Sequence, residues 1–188
     1  MANTDAPRGL WPVRHLSGGT IRVNTYPIAT GYATNIFTGD VVKLVAGGGI
    51  EVAAAGNRFL GVFAGVNYTD ANGKKVFKKY WPASTTATDI EAHVWDDPNI
   101  IFGVQSAGST VAADVGNLGD HVAGTGSTTT GMSAHELNGS TGTGAAGFRV
   151  LGKVNEPDNA YGTNVNLEVQ PYQHELNEHI DADGTAGV

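Results

Sequence analysis

Glycine and proline punctuate this chain so often that long regular elements have little room to form. Of 188 residues, 27 are Gly and 7 are Pro, and glycine alone stands at about twice the usual ~7%. Together they make 34 of 188 (27 plus 7), below the ~25–30% at which a chain tends toward wholesale disorder. The apolar residues between these breaks fall into short runs bounded by turn signals. That pattern predicts an all-β fold: a small β-barrel or sandwich core, an extended N-terminal arm and at most one short helix.

The runs can be followed along the sequence. Val41 to Val45 and Ile50 to Ala54 flank the turn at Gly47-Gly48-Gly49. From Phe59 to Tyr68, strict alternation places Phe59, Gly61, Phe63 and Gly65 on one face and Leu60, Val62, Ala64 and Val66 on the other. Asn72-Gly73 is a hairpin signal for a type I′ turn. Ile90 to Trp95 alternates, Asp96-Asp97-Pro98-Asn99 forms an Asx-type turn, and Ile100 to Gln105 follows as a strand. Phe148 to Val154 and Asn164 to Gln170 are the last two strands. The expected core contains Phe59, Val62, Phe63, Val66, Val94, Ile101, Phe102, Val104, Val150, Leu167 and Val169. Ser109 to Val115 can make one helical turn, capped by Ser109 or Thr110.

Three regions follow. Residues 1–37 read as an extended arm, rich in proline and glycine yet holding Leu10, Trp11, Val13 and Leu16. Residues 38–174 are the β core. Within it, residues 124–147 hold 7 Gly and 9 Ser/Thr, the composition of a flexible loop that does no chemistry and points outward. Residues 175–188 form an acidic tail with no Lys or Arg.

Composition excludes several functions. Cysteine is absent, which removes thiol catalysis, disulfide frameworks and Cys-based zinc sites. A net charge of −7 argues against nucleic acid as a partner, and no apolar run reaches the ~18–20 residues of a membrane span. No serine stands in a G-x-S-x-G elbow. The closest histidines, His174 and His179, lack metal-ligand spacing. His93 beside Asp96 and Asp97 reads as a solvent-facing strand residue before a turn. Asp181-Ala182-Asp183-Gly184 lacks the remaining ligands of a calcium loop. The expectation is a non-enzymatic chain with no catalytic, cofactor or metal residues. Lys74, Lys75, Lys78 and Lys79 gather around a hairpin beside Phe77, Tyr80 and Trp81, and read as protection of an edge strand.

Three stretches carry a family resemblance. Ala6-Pro7-Arg8-Gly9-Leu10-Trp11-Pro12-Val13-Arg14-His15-Leu16 resembles the N-terminal arm of short structural proteins of tailed phages. Thr38-Gly39-Asp40-Val41-Val42-Lys43-Leu44, followed by Ile50 to Gly56 and Phe59 to Phe63, resembles the barrel strands of phage head decoration (capsid cement) proteins. Asp97 to Gln105 with Ala112 to Gly116 resembles a further segment of such virion proteins.

The resemblance implies a homotrimer that bridges neighbouring major capsid protein subunits of an icosahedral bacteriophage head, without catalytic residues, nucleic acid or membrane. Its place would be the outer capsid surface of the virion, after synthesis in the host cytoplasm. The expected contact residues, to the capsid or between protomers, are Arg8, Leu10, Trp11, Val13, Arg14 and Leu16, with Trp11 as anchor. The alternative is a carbohydrate- or receptor-binding module of a virion or cell surface, with Trp81, Trp95 and Tyr80 stacking on sugars.

Overall fold

The structure is a computed structural model that describes residues 3–138 and 147–177. It is all-β. In chain order its first strands are β1 (Trp11–His15), β2 (Asn24–Tyr26), β3 (Ile36–Phe37), β4 (Val41–Leu44), β5 (Ile50–Val52), β6 (Gly61–Thr69), β7 (Lys75–Lys78), β8 (Tyr80–Trp81) and β9 (Thr88–Trp95). They are followed by β10 (Ile100–Gln105), β11 (Ser109–Thr110), β12 (Leu118–Gly119), β13 (His121–Val122), β14 (Glu136–Leu137), β15 (Phe148–Lys153), β16 (Gly162–Thr163) and β17 (Asn166–Pro171). The one helical element among the described residues is a 3-10 turn, Ala112–Asp114. Its cap differs from the expected hydroxyl: the Val111 backbone N–H donates to the Asp114 carboxylate at 2.8 Å.

Two antiparallel sheets make up the body. One has the order β1-β10-β17-β15-β12; the other runs β2-β9-β6-β4-β5, with β7 also paired to β6. They face each other across a core of Val41 and Val62 from the second sheet and Phe102, Val104, Val150, Leu167 and Val169 from the first. A second core lies on the opposite face of the second sheet, where Val42, Phe63, Val66, Ala92 and Val94 meet Ile28, Ile36 and Trp81. Every residue of the expected core is buried, none above 1% exposed.

The alternation expected over residues 59–66 breaks. Phe59 and Val62 lie in the first core, whereas Leu60, Phe63 and Val66 lie in the second. Phe59 and Leu60 precede β6 and do not share its alternation; within β6 a β-bulge between Phe63 and Gly65 in the ladder with β9 adds one residue, which puts Val66 on the same face as Phe63. Gly65 sits there at φ +140°, a conformation nearly closed to residues with a Cβ.

The N-terminal segment is not an arm held off the core. β1 pairs with β10, β2 with β9 and β3 with β8, and Leu10, Ile28 and Ile36 are buried. The chain had too much apolar surface to remain extended in water, and its own sheet edges were the nearest place to bury it. The expected boundary at residue 37 therefore has no counterpart in the packing.

The loop expected at 124–147 is likewise built in over its described part. β14 pairs with β13, and Thr38 bridges Met132. A Cβ at Gly126 would fall 2.3 Å from the Phe37 ring, so this glycine serves close packing. Asn72-Gly73 also departs from a type I′ turn, because only Gly73 has positive φ. Asp70 Oδ1 instead accepts from the backbone N–H groups of Asn72 and Lys74, each at 2.9 Å. Residues 139–146, the calcium-like Asp181 to Gly184 and most of the acidic tail lie outside the described residues. Of the tail, Glu175 accepts from the Leu44 backbone N–H at 3.0 and 3.2 Å.

Candidate functional site

Four regions hold the polar and exposed groups from which a site can be built: the N-terminal rim, a buried histidine–aspartate cluster and two clefts.

The rim divides the six expected contact residues. Leu10 is core, at 2% exposure. The Trp11 ring lies flat over Gly103, where a Cβ would come within 2.2 Å of it, and the Arg8 guanidinium stacks 3.8 Å above the ring centre. Arg14 pairs with Glu168 at 2.9 Å and Arg8 approaches Glu156 at 3.9 Å. Trp11, Arg8 and Arg14 are thus engaged within the chain. Val13 and Leu16 remain exposed, as does Val23 further along. β1 has one partner strand and so carries one free edge. Pro12, which has no N–H, and a bulge between Pro12 and Arg14 interrupt that edge.

The buried cluster brings together residues that the sequence left far apart. The Phe37 backbone N–H donates to Asp40 Oδ2 at 2.7 Å, and the Ser133 hydroxyl donates to the same carboxylate. Val41 N–H points at His135 Nδ1 at 3.4 Å, which leaves Nε2 to carry the proton toward Asp40 Oδ1, also 3.4 Å away. His121 stacks on His135 with ring centres 5.4 Å apart. Its Nε2 donates to the Ala53 carbonyl at 2.9 Å, and its Nδ1 lies 3.2 Å from Asp120 Oδ1.

Burial pushes the Asp40 carboxyl up to about 6, against the donors that favour its charge. Burial, aided by nearby His121, pushes His135 down to about 3. Although burial raises Asp120, hydrogen bonds from His121 and the Gly56 N–H hold it below the usual carboxylate range. Ser, His and Asp occur together here, but in the wrong order for a nucleophile. A triad needs the hydroxyl on the imidazole, whereas Ser133 donates to Asp40. All three are also sealed, at 3% exposure or less. The cluster clamps residues 133–135 onto β4.

A second carboxylate, Asp96, is buried as well. It accepts from Asn24 Nδ2 at 2.8 and 3.0 Å and from the Tyr26 hydroxyl at 2.6 Å. Burial and this contact push the Tyr26 hydroxyl up. Asp97 makes the expected Asx turn, accepting from Asn99 N–H at 2.8 Å. His93 is half-buried and meets Asn67 Nδ2 at 3.0 Å through its Nε2. Among the described residues, no group of three His, Cys, Asp or Glu is arranged to hold a metal ion.

The two clefts differ in chemistry. The first, about 260 Å³, lies between the chain start and residues 156–166. Its amides bond their own backbone: Asn3 Nδ2 donates to Ala160 and Thr163 carbonyls, Gln105 Nε2 to Thr4 and Asn164 carbonyls, and Asn159 Nδ2 to Val154 and Asn166 carbonyls. The second, about 300 Å³, is lined by β6, β7 and the start of β9. It is bordered by Phe77, at 64% the most exposed large apolar side chain among the described residues. The aromatic residues expected to stack on sugars are elsewhere. Trp81 is fully buried, Trp95 packs against the first core, and Tyr80 stacks on Phe37.

No protein-family model, no curated protein and no solved structure matches this chain.

Proposed function

We propose that this chain is a virion structural protein that decorates and stabilises an icosahedral phage capsid, bridging neighbouring major capsid subunits as a homotrimer. The observation that carries the reading is the rim: Val13 and Leu16 stay exposed on and just past β1, and Val23 just before β2, each an end strand of its sheet. Exposed apolar side chains at an open edge suit burial against a neighbouring copy or shell subunit. The stretches that resemble decoration proteins, Thr38 to Leu44, Ile50 to Gly56 and Phe59 to Phe63, run through β4, β5 and the start of β6, which are adjacent in one sheet. A bridging protein of this kind binds the assembled shell and stabilises it by mass action, and three linked copies add avidity.

In this reading the N-terminal segment is a rim fixed to the core, and the contact is made by Val13 and Leu16 more than by Trp11. The double variant Val13→Asp with Leu16→Asp should keep its fold by circular dichroism, shift from trimer to monomer by light scattering, and attach to heads at least tenfold more weakly. A wild-type chain that is strictly monomeric at micromolar concentration yet attaches to heads would sink the trimer. Virion images with this chain on tails and not on heads would sink the decoration reading itself.

A further inference from the structure

We propose that the open end of the β6–β9 ladder is a carbohydrate-binding shelf, with the Phe77 ring as its platform and Asn67, Glu91, Asp89 and Lys75 as its hydroxyl-binding groups. The inference does not rest on the capsid reading.

The shelf exists because the ladder is longer than the sheet that covers it. β9 carries Trp95, His93 and Glu91 on one face. At one end Trp95 packs against the first core. Two residues on, His93 is half-buried, and two further on, Glu91 is exposed. Cross-strand pairing puts Asn67 beside Glu91 and Phe77 beside Asn67, so these three side chains share the uncovered face. The edge of the Phe77 ring lies over Gly65, where a Cβ would come within 3.4 Å of it. With one edge seated on a glycine and the rest exposed, the ring is an accessible, supported platform.

Most of the polar groups around that ring are free to bind something else; Asn67 Nδ2 meets His93 Nε2 at 3.0 Å, which leaves the Asn67 Oδ1 as its acceptor. Among the described residues Glu91 and Lys75 have no side-chain hydrogen bond or ion pair, and Phe77 has no ring partner. Asp89 uses one carboxylate oxygen to accept from the Thr69 hydroxyl at 2.9 Å. The contrast with the 260 Å³ cleft is direct, since the amides there are consumed by their own backbone.

A pyranose fits this combination. Its C–H face stacks on an aromatic ring, and its hydroxyls both donate and accept, so mixed carboxylate, amide and ammonium groups all find partners. The cleft volume of about 300 Å³ sits at the small end of ligand sites, ~300–1,000 Å³. A protein partner fits less well, because interface centres are depleted of charged residues. Nucleic acid fits less well still, because Asp89 and Glu91 would face its phosphates.

The test is a glycan array with the full chain, followed by saturation-transfer NMR on the neutral oligosaccharides that bind. Saturable binding of a neutral glycan is expected, at least tenfold weaker in Phe77→Ala, several-fold weaker in Glu91→Gln and retained in Phe77→Tyr. Melting temperature should stay the same in all three, since Phe77 is an exposed residue. No neutral glycan binding tighter than about 1 mM would overturn the proposal, as would binding unchanged in Phe77→Ala. Binding confined to sulfated or sialylated glycans and lost at high salt would overturn it too, assigning the contact to the lysines alone. Loss of self-association or head attachment in Phe77→Ala, with no glycan bound, would give the shelf to a protein partner.

Discussion

The two ends of the β6–β9 ladder have the same backbone pairing and opposite fates. At one end Val62 and Trp95 are pressed against the first sheet, and Phe63 and Val94 against the second core. At the other end Glu91 of β9, with Phe77 and Lys75 of the adjoining β7, faces solvent on the uncovered side. Hydrogen bonding within the ladder does not distinguish the ends; cover does. A strand pair supplies geometry, and what lies on each face decides whether its side chains stabilise the fold or remain available for binding.

The largest expected effect is at the covered end. Phe63→Ala should cost ~3–5 kcal/mol, because a fully buried ring leaves a cavity that close packing cannot refill. Phe77→Ala, three strand pairings away, should change stability by less than about 0.5 kcal/mol. Urea denaturation of the two variants checks both. A cost below about 1 kcal/mol for Phe63→Ala would mean that the covered end is not what holds the sheet together.

The covered end also carries buried titrating groups: Phe63 N–H donates to the Asp40 carbonyl, and the Phe63 carbonyl accepts from Gly39 N–H. His135 and His174 fold with values near 3 and 4, both lowered chiefly by burial. Their contributions are full above the unfolded value of about 6.5 and are lost as pH falls toward those folded values. Asp40 runs the other way. Its folded value near 6 is raised, so its contribution is full below the unfolded value and disappears as pH rises through 6. Two histidines outweigh one carboxyl, so stability should fall by about 2–4 kcal/mol between pH 7 and pH 4.5. Urea midpoints at the two pH values measure it. In Asp40→Asn the offset is removed and the acid loss should deepen; a loss of unchanged size would show that Asp40 does not titrate in this range.

A smaller loss than those of the covered end is expected at the junction between the two ends. Gly65→Ala places a Cβ at φ +140°, and 3.2 Å from the Lys78 carbonyl oxygen. It should cost ~1–3 kcal/mol. It should also lift the Phe77 ring from its seat, so glycan binding should weaken while the covered core stays intact. Chemical-shift changes spreading to Val62 and Trp95 would show that the two ends are not separable.

Much of the fold was legible in advance. Each core residue expected from the strand runs is buried, and the Asx turn at Asp97 formed as its residue types suggested. The face assignment over residues 59–66 was not legible, because where β6 begins and where it bulges both depend on its partner strands, and the bulge leaves only a glycine as its signal. Phe77 among lysines signals only an edge strand in the sequence; the carboxylates beside it arrive from β9, more than ten residues away. Asp40, His121 and His135 could not be brought together from spacing alone. Trp81 and Trp95 misled because an aromatic residue looks the same in sequence whether it is exposed or buried.

Glycine and proline leave no space for long helices and the apolar runs are strand-length, so residue order alone makes this chain all-β. Residue order also sets which side chains are core, because burying them is the main favourable term in folding. That the N-terminal segment and residues 124–138 belong to the body emerges in three dimensions alone, because it depends on which sheet edges and cavities lie within their reach. Tertiary packing alone selects which half of one ladder stays open, because strand length is local but cover comes from a sheet assembled from distant parts of the chain.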